Sequence, residues 1–195
     1  MICGHEIFNI LDIAAAIGET NLKKLLNDFS CPRNEEIQHF VRNHAYEFAR
    51  KKLSVTYLVV NEENYISAIF TLAHKAVEIG DAQLSNVRRR KISRYATLDE
   101  KSGSYMVSAF LIAQFGKNYN MNVEKRMSGD VLMDLAFEVL GKVQHDIGGG
   151  IVYLECEDKP ALLKFYQNER NGFTPFSERY SVSDHTKYIQ LFNFF

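Results

Sequence analysis

A short polar stretch in the second half of the sequence could bind a diphosphate. Two cations, a hydroxyl, a glycine and a carboxylate open a long amphipathic segment: Lys125, Arg126, Ser128, Gly129 and Asp130. A helix beginning there would offer unpaired backbone N–H groups and its positive dipole end to an anion. A glycine lets phosphate approach the main chain closely, and the cations add complementary charge. Taken alone, Ser128 and Gly129 also fit an ordinary helix N-cap.

The elements around this stretch predict a mixed α+β fold. Two β-branched and aromatic runs joined by a polar turn predict a hairpin of strands at 55–60 and 65–72. An apolar stripe at helical spacing, with Asn34 as its N-cap, predicts a helix over 34–50. The second half then predicts a buried strand at 106–113, a helix from Ser128 to the glycines at 148–150, a strand at 151–155, a helix from Pro160 to about Asn171, and a strand at 188–195 that inserts into the sheet.

Length and composition favour a globular domain of ordinary size. Of the 195 residues, 46% are hydrophobic and 24% are charged, a balance typical of soluble proteins with a substantial core. The formal net charge of −1 gives no general attraction for nucleic acid or anionic lipid. No segment approaches the roughly 20 apolar residues of a membrane span, and the first residues lack the features of a signal peptide. We therefore expect a cytoplasmic protein without a membrane partner.

Cysteines and histidines do not indicate a metal site or a disulfide framework. The three cysteines, Cys3, Cys31 and Cys156, are odd in number and widely spaced. The six histidines show no metal-ligand spacing. We expect no metal cofactor.

The segment at 106–173 resembles the cofactor half of the GNAT superfamily of acyl-CoA-dependent N-acyltransferases. The resemblance is carried by the element order and by a diphosphate motif, Arg/Gln-x-x-Gly-x-Gly/Ala. Arg126 and Gly129 match this motif, whereas Val131 stands where the family has a small residue. The resemblance implies a central, mostly antiparallel twisted sheet that is splayed at the cofactor site and flanked by helices. It implies acetyl-CoA as the co-substrate.

The first half of the chain is similar to one GNAT branch, which contains acetylating toxins. The helix at 34–50 and the hairpin after it correspond to that branch's acceptor side. The resemblance implies a single domain over 1–195. Within it, 1–105 would be the acceptor-side half, with an insertion at 74–105, and 106–195 would be the acetyl-CoA-binding half.

The resemblance also gives Tyr166 a role as general acid. In the family, a tyrosine in the helix after the second strand protonates the departing coenzyme A thiolate. Phe165-Tyr166 and Gly172-Phe173 resemble the corresponding family segment, although the gap between them is about two residues longer here. A phenol with a pKa of about 10 can protonate a thiolate with a pKa near 8.5 in the transition state. An isolated tyrosine at this position also fits a core residue.

Further site residues follow from the same resemblance. The strand at 106–113 would hold the pantetheine arm through its backbone, at Leu111, Ile112 and Ala113, and an N–H near Ile112 or Ala113 would polarise the thioester carbonyl. The acceptor amine must lose a proton before it attacks, and Glu155 or Glu157 could take it directly or through water. Either carboxylate also fits a solvated strand end.

The sequence thus predicts an N-acetyltransferase that moves an acetyl group from acetyl-CoA to a primary amine by direct attack in a ternary complex. One alternative is a toxin of this fold that acetylates aminoacyl-tRNA, for which the basic run at 88–94 would contact RNA. We favour a solvated face for that run. Another alternative is a GNAT-shaped binding or regulatory module without catalysis. The apolar C-terminal strand adds the expectation of a homodimer sheet.

Overall fold

The computed structural model describes residues 4–120, 127–182 and 185–195. It divides into two compact units, and each unit is built from two segments. The first unit comprises Met1–Ala73 and Ala113–Val139, and the second comprises His74–Ile112 and Leu140–Phe195. Compact units within a chain need not fold independently, so the expectation of one domain over 1–195 stays a prediction.

The described residues form eight strands and seven α-helices. The strands are β1 (His5–Asn9), β2 (Val55–Asn61), β3 (Ile66–Gly80), β4 (Leu98–Asp99), β5 (Ser104–Lys117), β6 (Ile151–Glu157), β7 (Thr174–Ser181) and β8 (Thr186–Phe194). The helices are α1 (Ile10–Ile17), α2 (Glu19–Asn27), α3 (Glu35–Asn43), α4 (Ala45–Arg50), α5 (Asn86–Ile92), α6 (Gly129–Ile147) and α7 (Pro160–Gln167). β3, β5 and α6 each run from one unit into the other.

The first unit gathers α1 to α4 around one hydrophobic cluster. The side chain of Asn9 accepts a hydrogen bond from the N–H of Leu11 at 2.9 Å and so caps α1. Asn34 caps α3 as predicted, because its side chain accepts from the N–H of Ile37 at 3.1 Å. The fully buried members of the cluster include Ile10, Leu22, Phe29, Val41 and Leu58.

The strands of the first unit form the predicted hairpin. β2 pairs antiparallel with β3 on one side and with β1 on the other. In the turn, the side chain of Asn61 accepts from the N–H of Tyr65 at 2.8 Å, and Asn64 adopts a φ of 63°. Inside the hairpin, Thr56 and Thr71 are fully buried and face each other, with their hydroxyl oxygens 2.8 Å apart.

The second unit contains a sheet with the strand order β5-β6-β8-β7. β5 and β6 are parallel, whereas β8 pairs antiparallel with both β6 and β7. One face of this sheet packs against α5 through a cluster that includes Ile92, Tyr105, Val107, Tyr153 and Phe192. The fold class predicted from the sequence, a mostly antiparallel sheet with flanking helices, is confirmed.

β8 lies between two strands, which confirms that the apolar C-terminal segment inserts into the sheet. The ladder with β6 runs from Ile151 and Phe194 to Glu157 and Tyr188. Because β7 occupies the other edge of β8, this strand offers no free edge to a second copy. The expected homodimer sheet therefore cannot use β8, and homodimerisation stays a prediction.

Several predicted boundaries differ from the observed ones. The strand predicted at 106–113 extends from Ser104 to Lys117 as β5. The predicted helix over 34–50 is divided into α3 and α4 at His44, whose φ of −124° and ψ of −27° are not helical. α7 ends at Gln167 and not near Asn171. The hairpin strand β3 continues to Gly80, well beyond the predicted end at Leu72. In addition, β1, α5, β4 and β7 were not predicted.

Candidate functional site

The parallel pair β5 and β6 brings part of the predicted cofactor strand into register. Leu111 pairs with Tyr153 and Ile112 pairs with Leu154. Ile112 is buried and Leu111 is half-buried. Ala113, the next residue of β5, belongs to the first unit. In the second unit, β6 continues past Leu154 with three residues paired on β8: Glu155, Cys156 and Glu157.

Tyr166 occupies a buried aromatic site at the end of α7. Its ring makes edge contacts with the rings of Phe165, at 5.0 Å between centroids, and Phe173, at 6.0 Å. The side chain is 7% exposed. Pro160 at the start of α7 suits the first turn of a helix, which needs no N–H from it. The packing fixes the phenol ring in one place.

An asparagine turn accounts for the long gap between Phe165-Tyr166 and Gly172-Phe173. The side chain of Asn168 accepts from the N–H of Asn171 at 2.7 Å, and the side chain of Asn171 donates to the carbonyl of Phe165 at 2.7 Å. Gly172 adopts a φ of 65°, which a glycine tolerates. The N–H of Phe173 then donates to the carbonyl of Tyr166 at 3.0 Å. The additional residues thus form a closed turn after α7 and do not lengthen the helix.

Burial keeps two groups near the end of β6 in their neutral forms. Burial raises the pKa of Tyr166, and the negative charge that Cys156 carries when it ionises raises it further. Burial also raises the pKa of Cys156 to about 11, with smaller contributions from the carboxylates of Asp158 and Glu157. The phenol therefore keeps its proton at neutral and moderately alkaline pH. The thiol is not a thiolate, so it lacks the form that attacks an acyl group.

The two candidate bases differ in their contacts. Glu155 accepts hydrogen bonds from Arg179 at 2.8 and 3.3 Å and from Gln190 at 2.6 Å. Glu157 forms an ion pair with Lys159, two residues along the chain. Alternation along β6 places both carboxylates on the face opposite to Cys156. Glu155 thus belongs to a cross-strand cluster that the sequence analysis did not predict.

The start of α6 has the backbone features of an anion site. The Ser128 hydroxyl accepts from the N–H of Val131 at 3.1 Å, and the Ser128 carbonyl accepts from the N–H of Leu132 at 3.3 Å. The N–H groups of Gly129 and Asp130 precede the first intrahelical bond and lack an intrahelical partner. Val131 is half-buried at this first turn. Lys125 and Arg126 lie outside the described residues.

Asp130 introduces a negative charge at the same place. One of its carboxylate oxygens is buried, and within 4–120, 127–182 and 185–195 it has no hydrogen-bond partner. A carboxylate repels a diphosphate, so only the backbone N–H of Asp130 fits the role predicted for this residue. The residues present at the helix start therefore fit a diphosphate through main-chain donors.

Neither a metal site nor a membrane helix is found in the described parts of the chain. No group of three or more His, Cys, Asp or Glu side chains there could hold a metal ion. No helix among these residues is long and apolar enough to cross a bilayer. The candidate chemistry thus rests on Tyr166, the two glutamates and main-chain groups.

Solved structures with the same fold cover almost the whole chain. AtaT complexed with acetyl-methionyl-tRNAfMet aligns with a TM-score of 0.66 at 15% identity, over 97% of this chain and 94% of that one. A tyrosine-to-phenylalanine mutant of KacT aligns with a TM-score of 0.66 at 15% identity, over 98% and 95%. AtaTR bound with AcCoA aligns with a TM-score of 0.58 at 15% identity, over 98% and 93%. The sequence matches no protein-family model and no curated protein.

These alignments define the class of fold. The chain has the GNAT fold, as the resemblance implied. Its similarity is to the toxin-type acetyltransferases within that fold.

Proposed function

We propose that this chain is an acetyl-CoA-dependent N-acetyltransferase that acts on a primary amine in a ternary complex. The observation that carries the proposal is the buried Tyr166, held between Phe165 and Phe173 directly after the parallel pair of strands. Burial raises its pKa, so the phenol carries the proton that a leaving thiolate requires. The fold supports the proposal, since the neighbour AtaTR was solved bound with AcCoA.

The proposed cofactor site uses main-chain groups at two places. The N–H groups of Gly129 and Asp130, together with Ser128 at the cap, would bind the pyrophosphate, and Lys125 and Arg126 would add positive charge. The backbone of three β5 residues would bind the pantetheine arm and the thioester: Leu111, Ile112 and Ala113. Main-chain binding of this kind tolerates Val131, because the donors belong to residues before it.

The proposed reaction needs only an amine, the thioester and the protein groups named above. The amine nitrogen attacks the thioester carbon, and a carbon–nitrogen bond forms while the carbonyl oxygen becomes an oxyanion. A backbone N–H of Ile112 or Ala113 would stabilise this oxyanion. The carbon–sulfur bond then breaks, and the sulfur takes the proton of the Tyr166 hydroxyl. The proton that the amine loses goes to a carboxylate and returns to the phenol through solvent.

Between the two carboxylates, we propose Glu157 as the base. Glu155 accepts three hydrogen bonds from Arg179 and Gln190, and protonation would weaken all of them. Glu157 forms an ion pair with the neighbouring Lys159, whose side chain is 60% exposed. An exposed cation is easily displaced, so Glu157 is the more available acceptor.

Calorimetric titration with acetyl-CoA, beside free CoA and ATP, tests the proposed cofactor. We expect micromolar binding of both CoA compounds and none of ATP. Absence of CoA binding would sink the enzymatic proposal and leave the binding or regulatory module as the better account. A chain that binds acetyl-CoA is then assayed for acetyl transfer to a panel of primary amines.

A second candidate acceptor is the amino group of an aminoacyl-tRNA. The observation that favours it is the similarity to AtaT, which was solved complexed with acetyl-methionyl-tRNAfMet. The test is transfer of labelled acetyl to charged tRNA, with uncharged tRNA as the control. Label in charged tRNA that alkaline deacylation releases as an N-acetyl amino acid is the expected result. Label in small amines but not in charged tRNA would reject this acceptor.

A further inference from the structure

The second unit contains a cavity at the end of β6 opposite to the candidate chemistry. It has a volume of about 210 Å³ and is lined by Lys91, Arg94, Tyr95, Phe194 and Phe195. Phe194 pairs with Ile151 at the beginning of β6, whereas the candidate bases lie at its other end. The cavity is therefore a separate feature from the residues assigned to acetyl transfer.

Aromatic rings form one side of this cavity. The rings of Tyr95 and Phe194 lie nearly parallel, with an interplanar angle of 26° and centroids 6.4 Å apart. The Tyr95 hydroxyl lies so close to the main chain of Gly150 that a Cβ there would be 2.1 Å from the hydroxyl oxygen. Tyr95 is nevertheless 44% exposed. An exposed aromatic ring of this kind offers a stacking surface to a planar ligand.

Two cations form the other side. The Nζ of Lys91 lies 5.3 Å from the centre of the Phe194 ring. Lys91 and Arg94 are exposed, and within the described segments neither contacts a carboxylate. Two earlier arginines of the same basic run are already engaged, since Arg89 pairs with Asp81 at 2.9 Å and Arg88 donates to the hydroxyl of Thr174. Arg90 of the same run is exposed as well but does not line the cavity, so Lys91 and Arg94 are the cations that a ligand in the cavity would meet.

We propose that this cavity binds an unpaired nucleotide, with the base stacked on the exposed ring of Tyr95 and the phosphate bound by Lys91 and Arg94. Aromatic faces beside cations are how proteins bind single-stranded nucleic acid without reading its sequence. The volume suits one planar ring system and is below the ~300–1,000 Å³ of a typical drug-sized site. A free nucleotide and a nucleotide of an unpaired strand share this chemistry, and the proposal does not depend on acetyl transfer.

Fluorescence anisotropy with a short labelled single-stranded RNA tests the proposal. We expect Tyr95→Leu to weaken binding about tenfold, the loss of one base stack. Lys91→Gln with Arg94→Gln should weaken binding and reduce the slope of log K against log salt by about 0.7 for each lost phosphate contact. Competition with AMP shows whether the natural ligand is a free nucleotide or part of a strand. If AMP displaces the labelled RNA as well as an equal concentration of RNA nucleotides does, the ligand is a free nucleotide. If AMP competes only weakly, the ligand is a strand.

Two matched controls separate effects at the cavity from general effects of substitution. Tyr95→Phe keeps the ring and should bind as the unchanged protein does. Lys75→Gln with Lys101→Gln removes the same charge from exposed positions outside the cavity and should leave the affinity within about twofold, because distant charges are screened. Melting temperatures of all variants show whether they fold.

Three outcomes would overturn the proposal. One is the absence of binding to both the RNA and AMP. Another is a combination of two results: duplex RNA of the same composition binds as tightly as the single strand, and Tyr95→Leu has no effect. That combination indicates that only electrostatic attraction to the RNA backbone drives binding. The last is an acidic peptide such as polyglutamate competing as well as RNA, which indicates a protein partner.

Discussion

The N–H of Phe173 donates a hydrogen bond to the carbonyl of Tyr166, and the ring of Phe173 packs edge-on against the ring of Tyr166. The turn after α7 therefore holds the phenol from both its main chain and its side chain. Asn168 and Asn171 close that turn with side-chain hydrogen bonds. A positioned, buried and protonated phenol is what a general acid requires.

Replacing Tyr166 by phenylalanine removes the proton donor with little change in shape. If Tyr166 protonates the thiolate, Tyr166→Phe lowers kcat by about 100-fold or more and leaves the calorimetric affinity for acetyl-CoA nearly unchanged. Tyr153→Phe is the matched control, because Tyr153 is also 7% exposed but lies on β6 in the cluster that packs on α5. Full kcat in Tyr166→Phe would refute the assignment, as would equal losses in both variants.

The two glutamates of β6 can be separated by amide substitution. We expect Glu157→Gln to lower kcat at neutral pH and Glu155→Gln to keep kcat within a few-fold, because the contacts of Glu155 are structural. Glu155→Gln should instead destabilise the fold by about 1 kcal/mol, since its partner Arg179 is half exposed. Steady-state kinetics and urea unfolding of both variants check this. The reverse pattern would assign the base to Glu155.

Titration of Cys156 should destabilise the protein at alkaline pH. The pKa of this thiol rises from 9.0 to about 11 on folding, so between those values the unfolded chain loses a proton that the folded chain keeps. Stability is fully present below pH 9 and is lost as the pH rises toward 11, by about 1 kcal/mol at pH 10. Urea unfolding at pH 8 and pH 10 measures this loss, and Cys156→Ala should reduce it. An identical pH dependence in Cys156→Ala would contradict the prediction.

The buried threonine pair of the β2–β3 hairpin allows a test by double substitution. Thr56→Val or Thr71→Val alone leaves one fully buried hydroxyl without its partner at 2.8 Å, at a cost of about 1–3 kcal/mol. Replacing both removes the unsatisfied group, so the double variant should lose less stability than the sum of the single variants. Urea unfolding of the three variants gives the coupling free energy between the two hydroxyls. Additive losses would show that the two hydroxyls do not depend on each other.

Local sequence signals predicted the parts of the fold that local interactions determine. Asn34 and Ser128 cap the helices they were predicted to cap, and Gly148, with a φ of 76°, follows the end of α6. The division at His44 was missed because the apolar stripe continues through it. β7 was missed because it is largely exposed and carries mixed polar residues, so its sequence shows neither a buried run nor a regular alternation.

The candidate site was predictable only in part. Tyr166 stands out because an aromatic pair precedes a glycine and another aromatic residue. Glu155 contacts Arg179 and Gln190, which lie 24 and 35 residues away in the sequence, and no local pattern predicts such tertiary contacts. Main-chain donors at Gly129 or Ile112 do not depend on side-chain identity, so no pattern marks them. We assign Lys91 and Arg94 of the basic run to the proposed nucleotide site because the structure places both of them at the cavity, which no local pattern predicts.

The position of β8 between β6 and β7 has a consequence for the order of folding. In the sheet formed by the described residues, β7 is an edge strand that pairs with β8, and these two strands are neighbours in sequence. Their hairpin can form early from local contacts, within about 1–10 μs, whereas docking on β6 must close a much longer loop. The edge of β6 that receives β8 therefore stays unpaired until a preformed hairpin arrives. Pulse-labelled hydrogen exchange should show protection in β7 and β8 before their amides facing β6 are protected.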